Sequence, residues 1–77
     1  MKEKLMQFLD TDFFYVKKGL EDEKDPKRRN DICWYARQRA LGACEFASYL
    51  GLDSAEMSAA FYHYCDKLEE AEYGQTL

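Results

Sequence analysis

The stretch Asp25–Gly51, D-P-K-R-R-N-D-I-C-W-Y-A-R-Q-R-A-L-G-A-C-E-F-A-S-Y-L-G, decides the fold. It reads as one long helix with a signal at each end. Asp25 suits an N-cap, and Pro26 then occupies the first helical position, where its missing N–H is no loss. Gly51 follows the last apolar residue and suits a left-handed C-cap. The main apolar stripe predicted for this helix is Ile32, Tyr35, Ala36, Ala43, Phe46, Ala47 and Leu50. Ala36, Ala40, Ala43 and Ala47 form a strip of small residues that lets a neighbour approach closely. Trp34, Leu41 and Tyr49 fall roughly on the opposite side. A surface helix in a small bundle needs one apolar face, and this one has nearly two.

Working outward, Leu5, Leu9, Val16 and Leu20 share a helical face, with Met1 and Phe8 beside them. That predicts a helix over about residues 2–20, with Gly19 either ending it or tolerated inside it. Glu21–Asp25 form a charged turn before Pro26. After Gly51, Asp53 is an N-cap and Glu56 completes a capping-box pattern. Met57, Ala60, Phe61, Tyr64 and Leu68 make the core stripe of a last helix over about residues 54–73. Gln75, Thr76 and Leu77 are expected to fray. Val, Ile and Thr are scarce, while Ala, Leu, Glu and Lys are common, so local preference agrees with helix. The expected fold is all-α, a single-domain three-helix bundle with a long central helix over 26–50, and oligomeric.

The bulk numbers narrow the function classes. With 77 residues, a domain buries only about 60% of its unfolded surface, so association with another copy would help. Hydrophobic residues at 47% exclude disorder. A net charge of -4 opposes general attraction to phosphate backbones or anionic membranes. No apolar run reaches the roughly 20 residues that span a bilayer. The N-terminal M-K-E-K-L-M-Q-F-L-D has no apolar core or cleavage site, so no signal peptide is expected. Three cysteines, an odd number, point to free thiols in a reducing cytoplasm.

Chemistry is sparse. His63 and Cys65 stand two apart on a helix and diverge, Cys33 and Cys44 lie three turns apart, and no C-x-x-C exists. Zinc is therefore not expected, and the thiols read as small apolar residues. One His and no glycine-rich phosphate loop argue against an enzyme, and no cofactor is expected. Two charges are misplaced: Arg39 lies inside the central apolar stripe, and Asp12 lies inside that of the first helix. They are predicted to meet as a partly buried ion pair that fixes register. Lys27, Arg28 and Arg29 form the main basic cluster, a solvated surface on the plain reading and a nucleic-acid contact on the alternative one.

The segment F-A-S-Y-L-G-L-D-S-A-E-M-S-A-A, within residues 43–62, resembles the unit of helix-turn-helix regulators: Ala47 and Gly51 hold the small-residue and turn spacing, and Phe46, Leu50, Leu52, Met57 and Ala60 fall on apolar offsets. The positions that resemblance would turn to DNA are Asp53, Ser54, Ala55, Glu56, Ser58, Ala59 and Tyr62. They include no Arg or Lys and two acids, so nucleic acid is not the expected partner. The run R-A-L-G-A-C-E-F-A-S-Y-L-G, Arg39–Gly51, resembles small all-α proteins of phages and mobile elements in Gram-positive bacteria. That likeness implies a cytosolic, non-enzymatic accessory protein and assigns no role to any residue. The many aromatics off the core stripes imply a protein–protein interface, with Trp34, Leu41, Tyr49, Tyr62 and Tyr73 as its candidate residues. The leading expectation is a self-associating interaction module that binds another protein; a third reading is an acidic inhibitor acting through Glu21–Glu23 and Asp66–Glu72.

Overall fold

A computed structural model describes residues 1–73; the fraying expected at Gln75–Leu77 lies outside the described residues. Within them the chain forms α1 (Lys2–Asp22), α2 (Pro26–Tyr49) and α3 (Ser54–Tyr73), with no strand. Gly19 does not end α1; the helix runs on to Asp22, and the N–H of its C-cap Glu23 bonds the Gly19 carbonyl at 3.0 Å.

The helix boundaries follow from local chemistry. The Asp25 carboxylate accepts a hydrogen bond from the Lys27 N–H at 3.1 Å, and Pro26 opens α2. At the other end Gly51 takes φ +109°, a conformation that L side chains rarely adopt. Its N–H reaches the Ser48 carbonyl, and the Leu52 N–H reaches the Ala47 carbonyl, each at 3.0 Å. This is a Schellman cap, and Leu52 buries its side chain as the hydrophobic contact that accompanies it. Asp53 then caps α3 by accepting from the Ala55 N–H at 3.0 Å.

All three helices pack on one another. As expected, α1 contributes Leu5, Leu9, Val16 and Leu20 to the core, and α3 contributes Ala60, Tyr64 and Leu68. Helix α2 corrects the sequence reading. Its buried face is Cys33, Ala36, Ala40, Cys44 and Ala47. Of the stripe predicted for the core, Ala36 and Ala47 are buried, and Ile32 and Ala43 are half-buried at its edge. Tyr35, Phe46 and Leu50 are exposed, at 59%, 65% and 57%. The reason is geometric. One face of α2 must meet both α1 and α3, and the volume between them is already filled by Leu20, Tyr64 and Leu68. Only small side chains let α2 seat there, so the bulky stripe next to them on the helix rotates outward.

A leucine at Ala40 should therefore overpack the bundle and cost about 1–3 kcal/mol. The same leucine at exposed Gln38 should stay within about 0.5 kcal/mol of the parent. Urea unfolding compares the two; equal midpoints would show that the small face is not the seam.

Candidate interaction surface

Asp12 stands on α1 three residues after Leu9 and four before Val16, at the edge of the core stripe. Its carboxylate accepts from Arg39 of α2, Nε to Oδ1 at 2.9 Å and Nη2 to Oδ2 at 3.3 Å. The Tyr64 hydroxyl of α3 donates to Oδ2 of the same carboxylate. One carboxylate thus joins all three helices. The pair is partly buried, as the two misplaced charges suggested: the Arg39 side chain is 49% exposed and that of Asp12 16%. It closes the rim of the core and does not sit inside it, because Arg39 lies with Tyr35 and Phe46 on the outward stripe of α2. The hydrogen bond to Asp12 raises the Arg39 guanidinium further above its usual range. Burial, then the Asp12 hydrogen bond, hold the Tyr64 hydroxyl well above a normal phenol. Tyr64 also meets Phe13 edge to face, with ring centroids 6.2 Å apart.

In the basic cluster Lys27 and Arg28 are solvated, as the plain reading expects, and Arg29 departs from it. Arg29 sits in the first turn of α2, unfavourable for that helix's own dipole. Its guanidinium instead points at the ends of the other two helices. It donates to the carbonyls of Leu20, of Glu23 at 3.0 Å, and of Glu72 at 3.2 Å. The C-terminal ends of α1 and α3 converge there, and each leaves carbonyls without intrahelical partners. Arg28 lies 3.9 Å from Asp25, and Arg37 lies 3.7 Å from Glu72. Lys27, Arg28 and Arg29 do not form one continuous patch, since Arg29 is committed to backbone. The Glu72 side chain, one of the acids considered for an inhibitor face, is only 11% exposed and faces Arg37.

The contacts of Glu72 with Arg29 and Arg37 bring the end of α3 beside the start of α2. The two helices make an αα-hairpin closed at Gly51. Helix-turn-helix units hold their helices at about 90–120°, so the offsets that resemble such a unit serve a tight antiparallel corner here.

The thiols are buried or half-buried. Burial first, then Glu72, pushes Cys33 up from its usual 9.0 to about 11, and burial also raises Cys44 and Cys65. All three are thus poor nucleophiles near neutral pH. Among the described residues no group of three His, Cys, Asp or Glu side chains is placed to hold a metal, and no helix is long and apolar enough to cross a membrane.

The five candidate interface residues are all exposed: Trp34 53%, Leu41 37%, Tyr49 89%, Tyr62 66% and Tyr73 58%. They do not share one direction. At about 100° per residue, Trp34 and Leu41 fall together on α2, Tyr49 lies well round from them, and Tyr62 and Tyr73 occupy the outer face of α3. A second set was missed. Tyr35, Phe46 and Leu50 of α2 lie on the flank toward α1, where Tyr15 and Tyr35 border one groove with Val16, Gly19, Ile32 and Arg39. Phe8, two turns before Tyr15, continues that flank and is 50% exposed; Tyr15 is 67% exposed. The signal for this set was in the sequence: giving the core to the small-residue strip would have turned the bulky stripe outward.

Two predictions follow the chemistry of this region. Asp12→Ala should cost about 1–3 kcal/mol because it leaves the Tyr64 hydroxyl without its acceptor. Arg39→Met should cost less, within about 1 kcal/mol, because its head is half in water; denaturant midpoints that rank Arg39→Met as the worse variant would contradict this account. The second concerns alkali. Cys33 keeps its proton in the folded chain up to about pH 11, whereas the unfolded thiol loses it near 9.0. That contribution is present in full below pH 9.0 and disappears as pH rises through about 11, with Cys44, Cys65 and Tyr64 acting in the same direction. Each group removes up to about 1.4 kcal/mol per pH unit inside its window. The melting temperature should fall across this range, less steeply for Cys33→Ala; parallel curves would reject the assignment to Cys33.

Comparison of the chain with family models, with curated proteins and with solved structures finds no match.

Proposed function

We propose that this protein is a small, non-enzymatic helical interaction module that self-associates and presents a further apolar surface to another protein. One observation carries the reading: α2 gives its small residues to the core and turns its large ones outward. Twelve large hydrophobic side chains of the described residues are exposed, against thirteen apolar residues in the core, of which six are Ala or Cys. Scattered apolar groups are normal on a surface. A monomer's largest contiguous patch is usually about 300–600 Å², and Tyr35, Phe46, Tyr49 and Leu50 alone line more than three turns of one helix. Tyrosine, tryptophan and phenylalanine are also the residues that contact surfaces favour.

The reading includes a cytoplasmic setting, supported by thiols held as stable, unpaired groups, and a role as an accessory protein of a phage or mobile element, supported by the Arg39–Gly51 resemblance. It needs no cofactor and no membrane. Nucleic acid is a poor partner for a surface whose best-placed Arg29 is bound to carbonyls.

Sedimentation equilibrium at micromolar concentration should return a mass that is a multiple of the 9.1 kDa chain. A single-chain mass at every concentration would remove the self-association part of the proposal.

A further inference from the structure

We infer that the protein forms a two-fold symmetric dimer through the face shared by α1 and α2, with the axis passing beside the Asp12–Arg39 pair. The inference rests on the self-association reading and specifies its surface and partner, a second copy of this chain.

The face has a defined layout. Helices α1 and α2 run antiparallel, with Asp12 opposite Arg39 and Gly19 opposite Ile32; a Cβ on Gly19 would lie 4.0 Å from Ile32 Cδ1. The ion pair divides the flank in two. On one side stand Phe8, Phe46 and Leu50, exposed at 50%, 65% and 57%. On the other is the groove between Tyr15 and Tyr35, floored by Val16, Gly19 and Ile32. Phe8 of α1 and Phe46 and Leu50 of α2 protrude from one half, and the other half carries an open groove between two exposed tyrosines. A two-fold rotation about the middle lays each protruding half on the partner's groove, twice, as an isologous interface requires.

Area and charge both fit a second copy. A Phe or Tyr side chain carries about 150–250 Å², so Phe8, Tyr15, Tyr35 and Phe46, each at least half exposed, offer roughly 500 Å² of mostly apolar surface, to which Leu50 adds. A standard interface takes about 800 Å² from each partner, and homodimer interfaces are about 65% apolar, so about 500 Å² is needed. Asp12 and Arg39 stand as an ion pair at the boundary between the two halves. They neutralise each other, and a two-fold axis beside them sets each Arg39 next to the partner's Asp12. The exposed half of the guanidinium has donors to spend there, since it meets Asp12 through Nε and one Nη. Gly42 lies between Tyr35, Phe46 and Tyr49 along this side of α2, and a Cβ on it would touch nothing within 4 Å. Glycine in an exposed helix interior lowers stability by about 1 kcal/mol; close approach of a second helix gives it a use.

The test is a map of mass against position. Phe46→Glu and the milder Tyr35→Ser alter exposed side chains of this face; Trp34→Glu and Tyr62→Glu alter exposed side chains elsewhere. Circular dichroism checks that each variant stays helical. Wild type should sediment with the mass of two chains, and Phe46→Glu should raise the dimer dissociation constant roughly 100-fold or more, because the change enters a symmetric interface twice. Tyr35→Ser should move the same way, and Trp34→Glu and Tyr62→Glu should stay dimeric. If Trp34→Glu or Tyr62→Glu yields monomer while Phe46→Glu stays dimeric, this face is wrong and self-association stands. A wild type that is monomeric, or that shifts mass only on adding a different protein, overturns both.

Discussion

The structure depends on how closely α2 can approach its two neighbours. Cys33, Ala36, Ala40, Cys44 and Ala47 give it a face with almost no side-chain height. That lets Leu20, Leu68 and Tyr64 close over it, and these are among the most completely buried groups in the molecule. The bulk of the core thus comes from α1 and α3, while α2 supplies proximity. The same choice fixes the surface. A helix has one circumference, and turning its small side inward turns Tyr35, Phe46 and Leu50 toward water. Core and surface are two consequences of one rotation.

Close helices still slide unless something fixes their register, and apolar contacts between small residues do so weakly. Two polar clamps supply it. Midway along the bundle Asp12 receives groups from α2 and α3 together. At the end where two helices stop, Arg29 gathers carbonyls from α1, from the turn and from α3. Both use the directional part of the hydrogen bond, which apolar packing lacks. Leaving both at the rim, only partly buried, avoids the desolvation penalty of a fully buried charge.

Much of this was legible in the sequence, and the misses share a cause. The three helices and their caps were readable because Asp25-Pro26, Gly51 and Asp53 act through neighbours two to four residues away. The α1 core was readable because only one apolar stripe exists there. On α2 two overlapping stripes share Ala36 and Ala47, and periodicity ranks them by bulk. Bulk is the wrong criterion when the facing helices already fill the space, and that fact belongs to tertiary structure. The Asp12–Arg39 meeting was readable because each charge breaks a stripe. Tyr64 as its third member was not, since a tyrosine on a core stripe gives no sign of where its hydroxyl points. Arg29 was misjudged for a related reason: its partners are backbone carbonyls of other helices, which carry no side-chain signature.

The small core also bears on why the outward aromatics persist. A face of Ala and Cys gains less from leaving water than one of Leu and Phe, at about 25 cal/mol per Å² of apolar area. In a chain of 77 residues such a core leaves little margin over conformational entropy. If the α1/α2 face pairs as inferred, Phe46 and Tyr35 contribute to stability only in the assembly, and the folded state gains from mass action what it lacks in core volume. The architecture then trades a larger internal core for a shared one. The small inner face makes sense when the outer face has its own work.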